Sequence, residues 1–334
     1  MDEVITNSIS KDFDGICFTL EDWNEVLNNS SEVAVAHLKS STEYNIVYYK
    51  GENLSFVLYD NNKAVGVFPL FAHKNEGFWM ISGDGQYLIR PLFINNISKK
   101  VKKRLENKIA SIINFISQKL EVKLIKLVDF NMALSSWYLL WLRTANNVFV
   151  THEFMINLTL TIDEIRLCFR KSYKPLTNKT FNEWDVSVFD GTIDDTFEEF
   201  RLLHKEVAGR ETRSRESWYI QKMQIMSKNA FLVTIRDKDI LIGAGFFTYT
   251  KDIGVYSVGA YKRELFDKPI GHVVQMKAIQ VLKEKGCKLY HIGQKVTPLD
   301  NYNPSEKEKS ISHFKEGFSS YICIQPHLEV LINE

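Results

Sequence analysis

The sequence predicts a mixed α+β protein of two tandem domains, each with a central, mostly antiparallel mixed sheet flanked by helices. Residues 54–71 (LSFVLYDNNKAVGVFPLF) and 231–247 (FLVTIRDKDILIGAGFF) both have the pattern of an apolar strand, a polar turn and an apolar strand. A helix and then a strand follow each of these hairpins. Hydrophobic residues make up 45% of the 334 positions, which is enough for full cores. We expect the domains to span 1–160 and 161–334.

The two hairpins align as an internal repeat. Asp60 aligns with Asp237 and Gly66 with Gly243, both at a spacing of 177 residues, which is close to half the chain. A polar turn between apolar segments is common, so chance similarity stays open as an alternative. Taken as a repeat, the pattern predicts two copies of one α+β unit, each with a central meander.

The segments after the hairpins support the same organisation. Apolar residues at helical spacing predict an amphipathic helix over 99–120, whose basic beginning we interpret as a solvated face, and a strand over 123–130. In the second half, a helix is predicted over 269–286, with proline near its first turn and glycine at its end, and a strand over 288–293. Residues 146–160 predict a strand at the domain boundary.

Composition and motifs exclude several classes of protein. The 42 Lys and Arg nearly balance the 41 Asp and Glu, so we expect no DNA partner. The four cysteines form no CxxC pair, and no HExxH, GxSxG or GxxxxGK[ST] motif is present, so neither a metal nor a bound redox cofactor is expected. No signal peptide is visible, and no apolar run approaches the ~20 residues that span a bilayer. The expectation is a cytoplasmic protein, with peripheral contact to an acidic membrane surface as an option.

The first cationic segment is IRLCFRKSYKP (165–175). Arg166, Arg170 and Lys174 are four residues apart, so a helix would place them on one face, and Pro175 would end that helix. A solvated face is one interpretation. Contact with an anionic substrate or with lipid headgroups is the other.

The second cationic segment is HKEVAGRETRSRESW (204–218). A helix over 197–209 is predicted to end at glycine, after which Arg210, Arg213 and Arg215 leave its outer face. Converging arginines suit a diphosphate, because guanidinium binds phosphate bidentately. Surface salt bridges are the alternative for the arginines. Trp218 could stack on a base or sugar or lie in the core, and His204 is a candidate catalytic imidazole.

The third segment, 256–272, runs from a strand through a loop to a helix start. The helix N-terminus offers free amides, and Gly271 would let a ligand approach the backbone, with Arg263 nearby as a donor-binding cation. His272 would tend to be neutral there and could act as a base or contact the donor. Tyr256 and Tyr261 are candidate proton donors, with Tyr256 also a candidate binding residue.

The fourth segment is EKEKSISHFKEGF (306–318), which mixes cations with Ile311, Phe314 and Phe318. An exposed basic segment is one interpretation. A phosphate-facing loop and helix is the other, with Lys309 and Lys315 as binding residues. We expect cations from these separate segments to meet in a single crevice around a negatively charged donor or acceptor.

These motifs, in this order, resemble the Fem-type branch of the GNAT acyltransferases, most of all the members found among bacterial surface-polysaccharide genes. The resemblance covers about 165–325 and rests on LHKEVAGRETRSRESW, DILIGAGFF, YSVGAYKRELFDKPIGHVVQMKAIQVLKEKG and KEKSISHFKEGF. RKSYKPL (170–176) also resembles the basic segment that opens the second domain of such proteins. Over 1–160 the resemblance rests on the repeat.

The resemblance implies two tandem GNAT-like domains, of which the first is degenerate, with the active cleft in or beside the second. It implies transfer of an acyl group from a thioester or an aminoacyl-tRNA to an amine, here of a nucleotide- or lipid-linked amino sugar or another cell-envelope precursor. An aminoacyl-tRNA-dependent transferase acting on peptidoglycan-type precursors or proteins is the first alternative. A non-catalytic GNAT-like scaffold at the membrane surface is the second.

One segment departs from the pattern of the superfamily. Classical GNAT enzymes hold the coenzyme A pyrophosphate with a Q/R-x-x-G-x-G/A loop, and the corresponding residues here are KPIGHV (268–273). Only Gly271 matches. Acyl-CoA and aminoacyl-tRNA therefore both stay open as donors.

Overall fold

The computed structural model describes residues 16–17, 19–130, 134–177, 184–191, 195–298, 300 and 303–332. In chain order its helices are α1 (Leu20–Asn28), α2 (Lys39–Tyr49), α3 (Lys99–Leu120), α4 (Ser136–Leu142), α5 (Ile162–Cys168), α6 (Tyr173–Leu176), α7 (Thr196–Ala208), α8 (Arg215–Met226), α9 (Ile270–Glu284) and α10 (Glu306–Glu316). The strands are β1 (Ile16–Cys17), β2 (Glu52–Asn53), β3 (Phe56–Asp60), β4 (Lys63–Phe68), β5 (Phe71–Asn75), β6 (Phe78–Ser82), β7 (Leu92–Phe93), β8 (Leu124–Val128), β9 (Asn147–Asn157), β10 (Asp185–Phe189), β11 (Ala230–Asp237), β12 (Ile240–Tyr249), β13 (Ile253–Tyr261), β14 (Leu289–Lys295) and β15 (Tyr321–Leu331).

The described chain forms two compact units. The first comprises the described residues up to Thr151 together with those from Ile324 onward, and the second comprises His152–Cys323. This division differs from the predicted limits, 1–160 and 161–334, at both ends of the second unit. At the C-terminal end the reason is strand pairing, because β15 runs antiparallel to β8 of the first unit.

The first unit contains short antiparallel strands in the orders β1-β3-β4-β7 and β2-β5-β6. Helix α3 covers the predicted 99–120, and its buried side chains Ile109, Ile112 and Ile116 pack in the main core of this unit. Ser98 caps the helix, since its hydroxyl accepts a hydrogen bond from the amide of Val101. The sequence pattern therefore predicts this helix correctly from end to end.

The second unit is built on a sheet in the order β10-β11-β12-β13-β14-β9. All neighbouring strands are antiparallel except β13 and β14, which are parallel. Alternate residues of β11 enter different cores: Phe231 and Val233 pack with α9, whereas Leu232 packs with α7 and α8. Because successive residues of a strand point to opposite faces, α9 covers one face of the sheet and α7 and α8 cover the other.

The two predicted hairpins form with the same register. Leu58 pairs with Gly66 in the first unit, and Ile235 pairs with Gly243 in the second. Each hairpin has a register irregularity immediately after that pair, at equivalent positions of the repeat. The internal repeat predicted from the sequence is therefore present in the structure, and the two hairpins share even the position of the irregularity.

Candidate active site

An opening in the sheet of the second unit lies between β13 and β14. Their parallel register runs only from Ile253 opposite Leu289 to Val255 opposite His291. Beyond this point both strands continue, but each pairs only with its antiparallel neighbour, β12 or β9. Two parallel strands that stop pairing leave a wedge of space flanked by backbone amides and carbonyls, which suits a ligand.

The ammonium of Lys315 occupies this opening. It lies 5.6 Å from the ring centre of Tyr256 on β13, and a Cβ added at Gly293 on β14 would collide with it. Gly293 has a φ of +141°, which favours glycine. Among the described residues Lys315 has no carboxylate within 4.0 Å. Burial lowers the pKa of Lys315, and the charge of Glu153 opposes that shift. Lys315 is therefore a partly desolvated cation that has no ion-pair partner in the described part of the chain.

Three phenols line the α9 side of the opening. The hydroxyls of Tyr256 and Tyr261 lie 2.9 Å apart, and the hydroxyl of Tyr290 donates to Gln275 Oε1 at 2.5 Å. Burial raises the pKa of Tyr256 to about 12 and raises the pKa values of Tyr261 and Tyr290 well above the usual 10. These phenols stay protonated at neutral pH, so they can donate hydrogen bonds or protons. Gly259 is required beneath them, because a Cβ there would collide with the Tyr256 hydroxyl.

A histidine–carboxylate pair that sequence reasoning missed stands where the parallel pairing ends. His291 Nε2 lies 2.7 Å from Glu153 Oε2, and the Glu153 side chain is 8% exposed. The His291 side chain is 27% exposed, so its ring is reachable by a ligand. A buried carboxylate that fixes one ring nitrogen of a histidine is the arrangement of an oriented general base. Glu153 also interacts electrostatically with Lys315.

His272, predicted as a base or donor contact, lies in an aromatic box. Its ring centre is 4.3 Å from that of Tyr173, 5.1 Å from Phe314 and 5.7 Å from Phe318. Burial, followed by the charge of Arg170, lowers the pKa of His272 to about 4. Its Nε2 is buried and has no hydrogen-bond partner among the described residues. The imidazole is neutral, as expected for this position, but such a low pKa makes it a weak base at neutral pH.

The space over Gly271 is filled by protein. A Cβ at Gly271 would lie 3.1 Å from the ring of Phe314, so this glycine accommodates an aromatic side chain of α10. Helix α9 itself begins as predicted, with Pro269 at its N-cap. The predicted close approach of a ligand to the backbone at Gly271 would require Phe314 to move.

The predicted single helix over 165–175 is wrong. Helix α5 ends before Phe169, which is extended, with a ψ of 146°, and places its side chain in the core at 3% exposure. The chain then turns into the short helix α6. Consequently Arg166, Arg170 and Lys174 do not form one stacked cationic face.

Arg170 instead ties the segment between α5 and α6 to α10. Its guanidinium lies 2.8 Å from His313 Nε2, donates to the His313 carbonyl at 3.1 Å and lies 3.9 Å from the Glu316 carboxylate. It also stacks over Tyr173 at 5.1 Å. Arg170 thus holds one wall of the aromatic box around His272.

A second group of predicted residues lies on α7, α8 and the turn between them. Arg213 lies 5.0 Å over the ring of Trp218 and 3.5 Å from His204 Nε2. Burial and the charge of Arg213 lower the pKa of His204 to about 4. Trp218 is 3% exposed and belongs to the core, so the sequence interpretation of a core tryptophan is the one realised. Arg210 and Arg215 are exposed.

Two further predicted cations have partners that hold the fold. Arg263 donates to the carbonyl of Val207 near the end of α7. Lys309 pairs with Glu306 one turn earlier on α10, at 2.6 Å. Neither contact points to a ligand.

The expected meeting of Arg210, His272 and Lys315 in one crevice is not what the structure shows. His272 and Lys315 lie with the α9 face and the opening of the sheet, whereas Arg210 follows α7, which covers the opposite face. Among the described contacts, none joins the α7–α8 group to the group around Lys315. The reason is that successive side chains of β11 point to opposite faces of the sheet. Helix α9 packs against one face, and α7 and α8 pack against the other.

Comparisons with known proteins bear on the fold. No protein-family model matches the sequence, and no curated protein matches it significantly. Solved structures do match. The structure of FemX matches at 12% identity and a TM-score of 0.69, over 93% of this chain and 96% of that one. L-PGS from Bacillus licheniformis matches at 14% identity and a TM-score of 0.61, over 95% and 93%. A tandem GNAT protein from the clavulanic acid biosynthesis pathway matches at 10% identity and a TM-score of 0.53, over 95% of both chains.

These likenesses confirm the prediction of a tandem GNAT-like fold in a mixed α/β chain. They also confirm, at the level of the fold, the resemblance to the Fem-type branch. At such low identities the likeness establishes architecture alone. In the part of the chain that the structure describes, no helix has the length and apolarity needed to cross a bilayer.

Proposed function

We propose that this tandem GNAT-like protein is an N-acyltransferase whose active site is the opening between β13 and β14. The acceptor is an amine of a nucleotide- or lipid-linked amino sugar or of another cell-envelope precursor, and the donor carries an acyl or aminoacyl group. The observation that carries the proposal is the cation of Lys315 in that opening, which forms no ion pair with any residue that the structure describes. The sequence resemblance to members found among surface-polysaccharide genes supports an envelope precursor as acceptor.

The reaction sets the requirements for the site. The amine nitrogen attacks the carbonyl carbon of the donor thioester or ester, a C–N bond forms, and the carbonyl oxygen becomes an oxyanion. The C–S or C–O bond to the carrier then breaks. The amine gives up a proton and the leaving thiolate or alkoxide takes one up. A cation for the oxyanion, a base and a proton donor are therefore needed.

Lys315 supplies the cation. Its charge is partly desolvated and has no carboxylate within 4.0 Å among the residues described, so it is available to a developing oxyanion. It acts strongly there because little water screens it. Tyr256 and Tyr261 supply the proton donor, since their raised pKa values keep both phenols protonated. Their hydroxyls share one hydrogen bond, so one phenol can donate while the other supports it.

His291 supplies the base, oriented by the buried carboxylate of Glu153. His272 fits this role less well, because aromatic rings enclose it and its pKa is about 4. We therefore assign His272 to the wall of the site, where a neutral imidazole contacts the donor without gaining a proton. This assignment keeps the donor contact that the sequence predicts for His272 and drops its role as a base.

The filled space over Gly271 favours a second candidate for the donor. Phenylalanine at this place, together with the KPIGHV departure, leaves less room for a pyrophosphate than a coenzyme A loop requires. Aminoacyl-tRNA is then the alternative donor, with peptidoglycan-type precursors or proteins as acceptors.

The test begins with thermal stabilisation against acyl-CoAs, UDP-amino sugars and aminoacyl-tRNA, since a ligand well above its Kd adds a few kcal/mol of stability. The donor and acceptor that stabilise are then combined in a transfer assay followed by mass spectrometry. Lys315→Met is expected to lower turnover by about 100- to 1,000-fold, as for removal of an oxyanion donor. Lys309→Met, on the same helix but paired with Glu306, is the matched control.

Each outcome has a meaning. Product that persists after ribonuclease treatment excludes aminoacyl-tRNA as donor. Equal turnover in wild type and Lys315→Met refutes the assignment of the opening. Arg210→Ala tests the other face of the sheet. If turnover falls in this variant and not in Lys315→Met, the active site lies on the α7–α8 side. Stabilisation without transfer by any donor would favour the scaffold interpretation.

A further inference from the structure

We propose that a groove between α3 and α4 of the first unit binds headgroups of acidic phospholipids and seats this face on an acidic membrane surface. The groove has a volume of about 540 Å³. Lys99, Lys102 and Lys103 line it from α3, and Leu139 and Arg143 line it from α4. None of these residues takes part in the proposed transfer, so the inference stands independently of it.

The charges of α3 are placed against the helix dipole. Its first turns carry lysines and no acidic residue, although a helix N-terminus has partial positive charge and favours anions. Lys99, Lys103 and Arg143 have no carboxylate within 4.0 Å among the described residues. Such an arrangement is unfavourable for a merely solvated face, and an anion bound in the groove would neutralise it. This replaces the solvated-face interpretation of the basic beginning of the helix.

The outer face of α4 is apolar. Trp137 and Trp141 are buried in the core of the unit, whereas Leu139 is 46% exposed and Leu142 is 37% exposed. Surface helices of water-facing proteins normally present polar residues outward. Exposed leucines beside unpaired cations match the chemistry of a membrane interface, where apolar side chains enter the acyl boundary and cations meet the phosphates.

Glu106, the one carboxylate among the described residues that line the groove, does not cancel these charges. Glu106 is 3% exposed and accepts a hydrogen bond from Ser136 at 2.8 Å, so it joins α3 to α4 at the floor. Its cation partner is Lys102, at 3.9 Å. The cations at the rim therefore remain available, and charge complementarity selects an acidic lipid over a neutral one.

The test is flotation of the full chain with vesicles of phosphatidylglycerol and phosphatidylcholine, against vesicles of phosphatidylcholine alone. Binding is expected only to the acidic vesicles and is expected to weaken with added salt. The variant Lys99→Gln/Lys103→Gln should lower partitioning about 25-fold, from about fivefold for each of the two cations. Its matched control, Lys63→Gln/Lys119→Gln, removes the same charge from exposed lysines outside the groove.

Leu139→Ser should also weaken binding, whereas Ile240→Ser, at another exposed apolar position, should not. Thermal unfolding of each variant checks that the fold is intact. Equal binding to both kinds of vesicle, or equal loss in the groove variant and its charge-matched control, would overturn the proposal. Release from the vesicles by millimolar glycerol phosphate would identify a site for soluble phosphate esters and would also overturn it.

Discussion

Replacing Lys315 by methionine should make the protein more stable at neutral pH while it abolishes most transfer. The ammonium is partly desolvated and has no ion pair among the described residues, so its charge costs free energy in the folded state. Methionine keeps the length of the side chain without the charge. We expect a gain of about 0.5–2 kcal/mol, as for other stabilising changes at functional positions.

The pH dependence gives this prediction its sign. Burial lowers the pKa of Lys315 in the folded state below the ordinary 10.5. At pH values between the lowered pKa and 10.5, the unfolded chain therefore binds more protons than the folded chain. Wild-type stability attributable to this residue therefore rises with pH across that window. The advantage of Lys315→Met should be largest at neutral pH and should shrink as the pH approaches about 10.

Urea unfolding of wild type and variant at a series of pH values measures the difference directly. Lys309→Met is the control, since that lysine is paired on the surface of the same helix and should change stability by less than about 0.5 kcal/mol. If Lys315→Met were less stable than wild type at neutral pH, or if the difference did not vary with pH, the cation would not be desolvated and unpaired. The proposed oxyanion role would then lose its physical basis.

Two further predictions concern the fold. His37 is fully buried; its Nδ1 accepts from the Ala34 amide and its Nε2 contacts the Arg90 carbonyl, and burial lowers its pKa to about 4. On acidification, His37 therefore gains its proton in the unfolded chain at a higher pH than in the folded protein. The free energy of unfolding should fall by about 3 kcal/mol between about pH 7 and pH 4. An NMR titration of the folded protein that showed protonation of this ring near pH 6.5 would contradict the prediction. Gly66→Ala and Gly243→Ala should each cost about 1–3 kcal/mol by overpacking, since a Cβ would meet the Phe93 ring in the first hairpin and the Ile270 side chain in the second. Thermal melts of the two variants measure this, and an unchanged Tm in both would contradict the close packing at these glycines.

Local patterns in the sequence predict most of the fold. The spacing of Ile109, Ile112 and Ile116 is sufficient to place α3, and Gly209 ends α7 with a φ of 72°. The alignment of Gly66 with Gly243 predicts not only two hairpins but their common register. These features depend on residues close together in the chain, which is why periodicity and turn chemistry are enough.

The site is less accessible to such reasoning. Glu153 and His291 are 138 residues apart and share no local motif, so only the strand order brings them together. Arg213 and His272 are both candidate site residues in the sequence, yet they lie on opposite faces of the sheet, because α8 packs on one face and α9 on the other. The segment 306–318 is enough to name Lys315 as a candidate, but the sequence cannot show that this lysine has no ion pair among the described residues.

The irregularity that both hairpins share has an evolutionary consequence. A register irregularity at the same place in two hairpins is explained more simply by duplication of one unit than by two separate origins. The two hairpins differ in the strand that pairs with their second strand. Strand β4 pairs with the two-residue strand β7, whereas β12 pairs with the nine-residue strand β13. In the first unit the parallel contact that precedes the long helix is a single bridge between Leu88 and Leu127, whereas β13 and β14 of the second unit pair over three residues before they part.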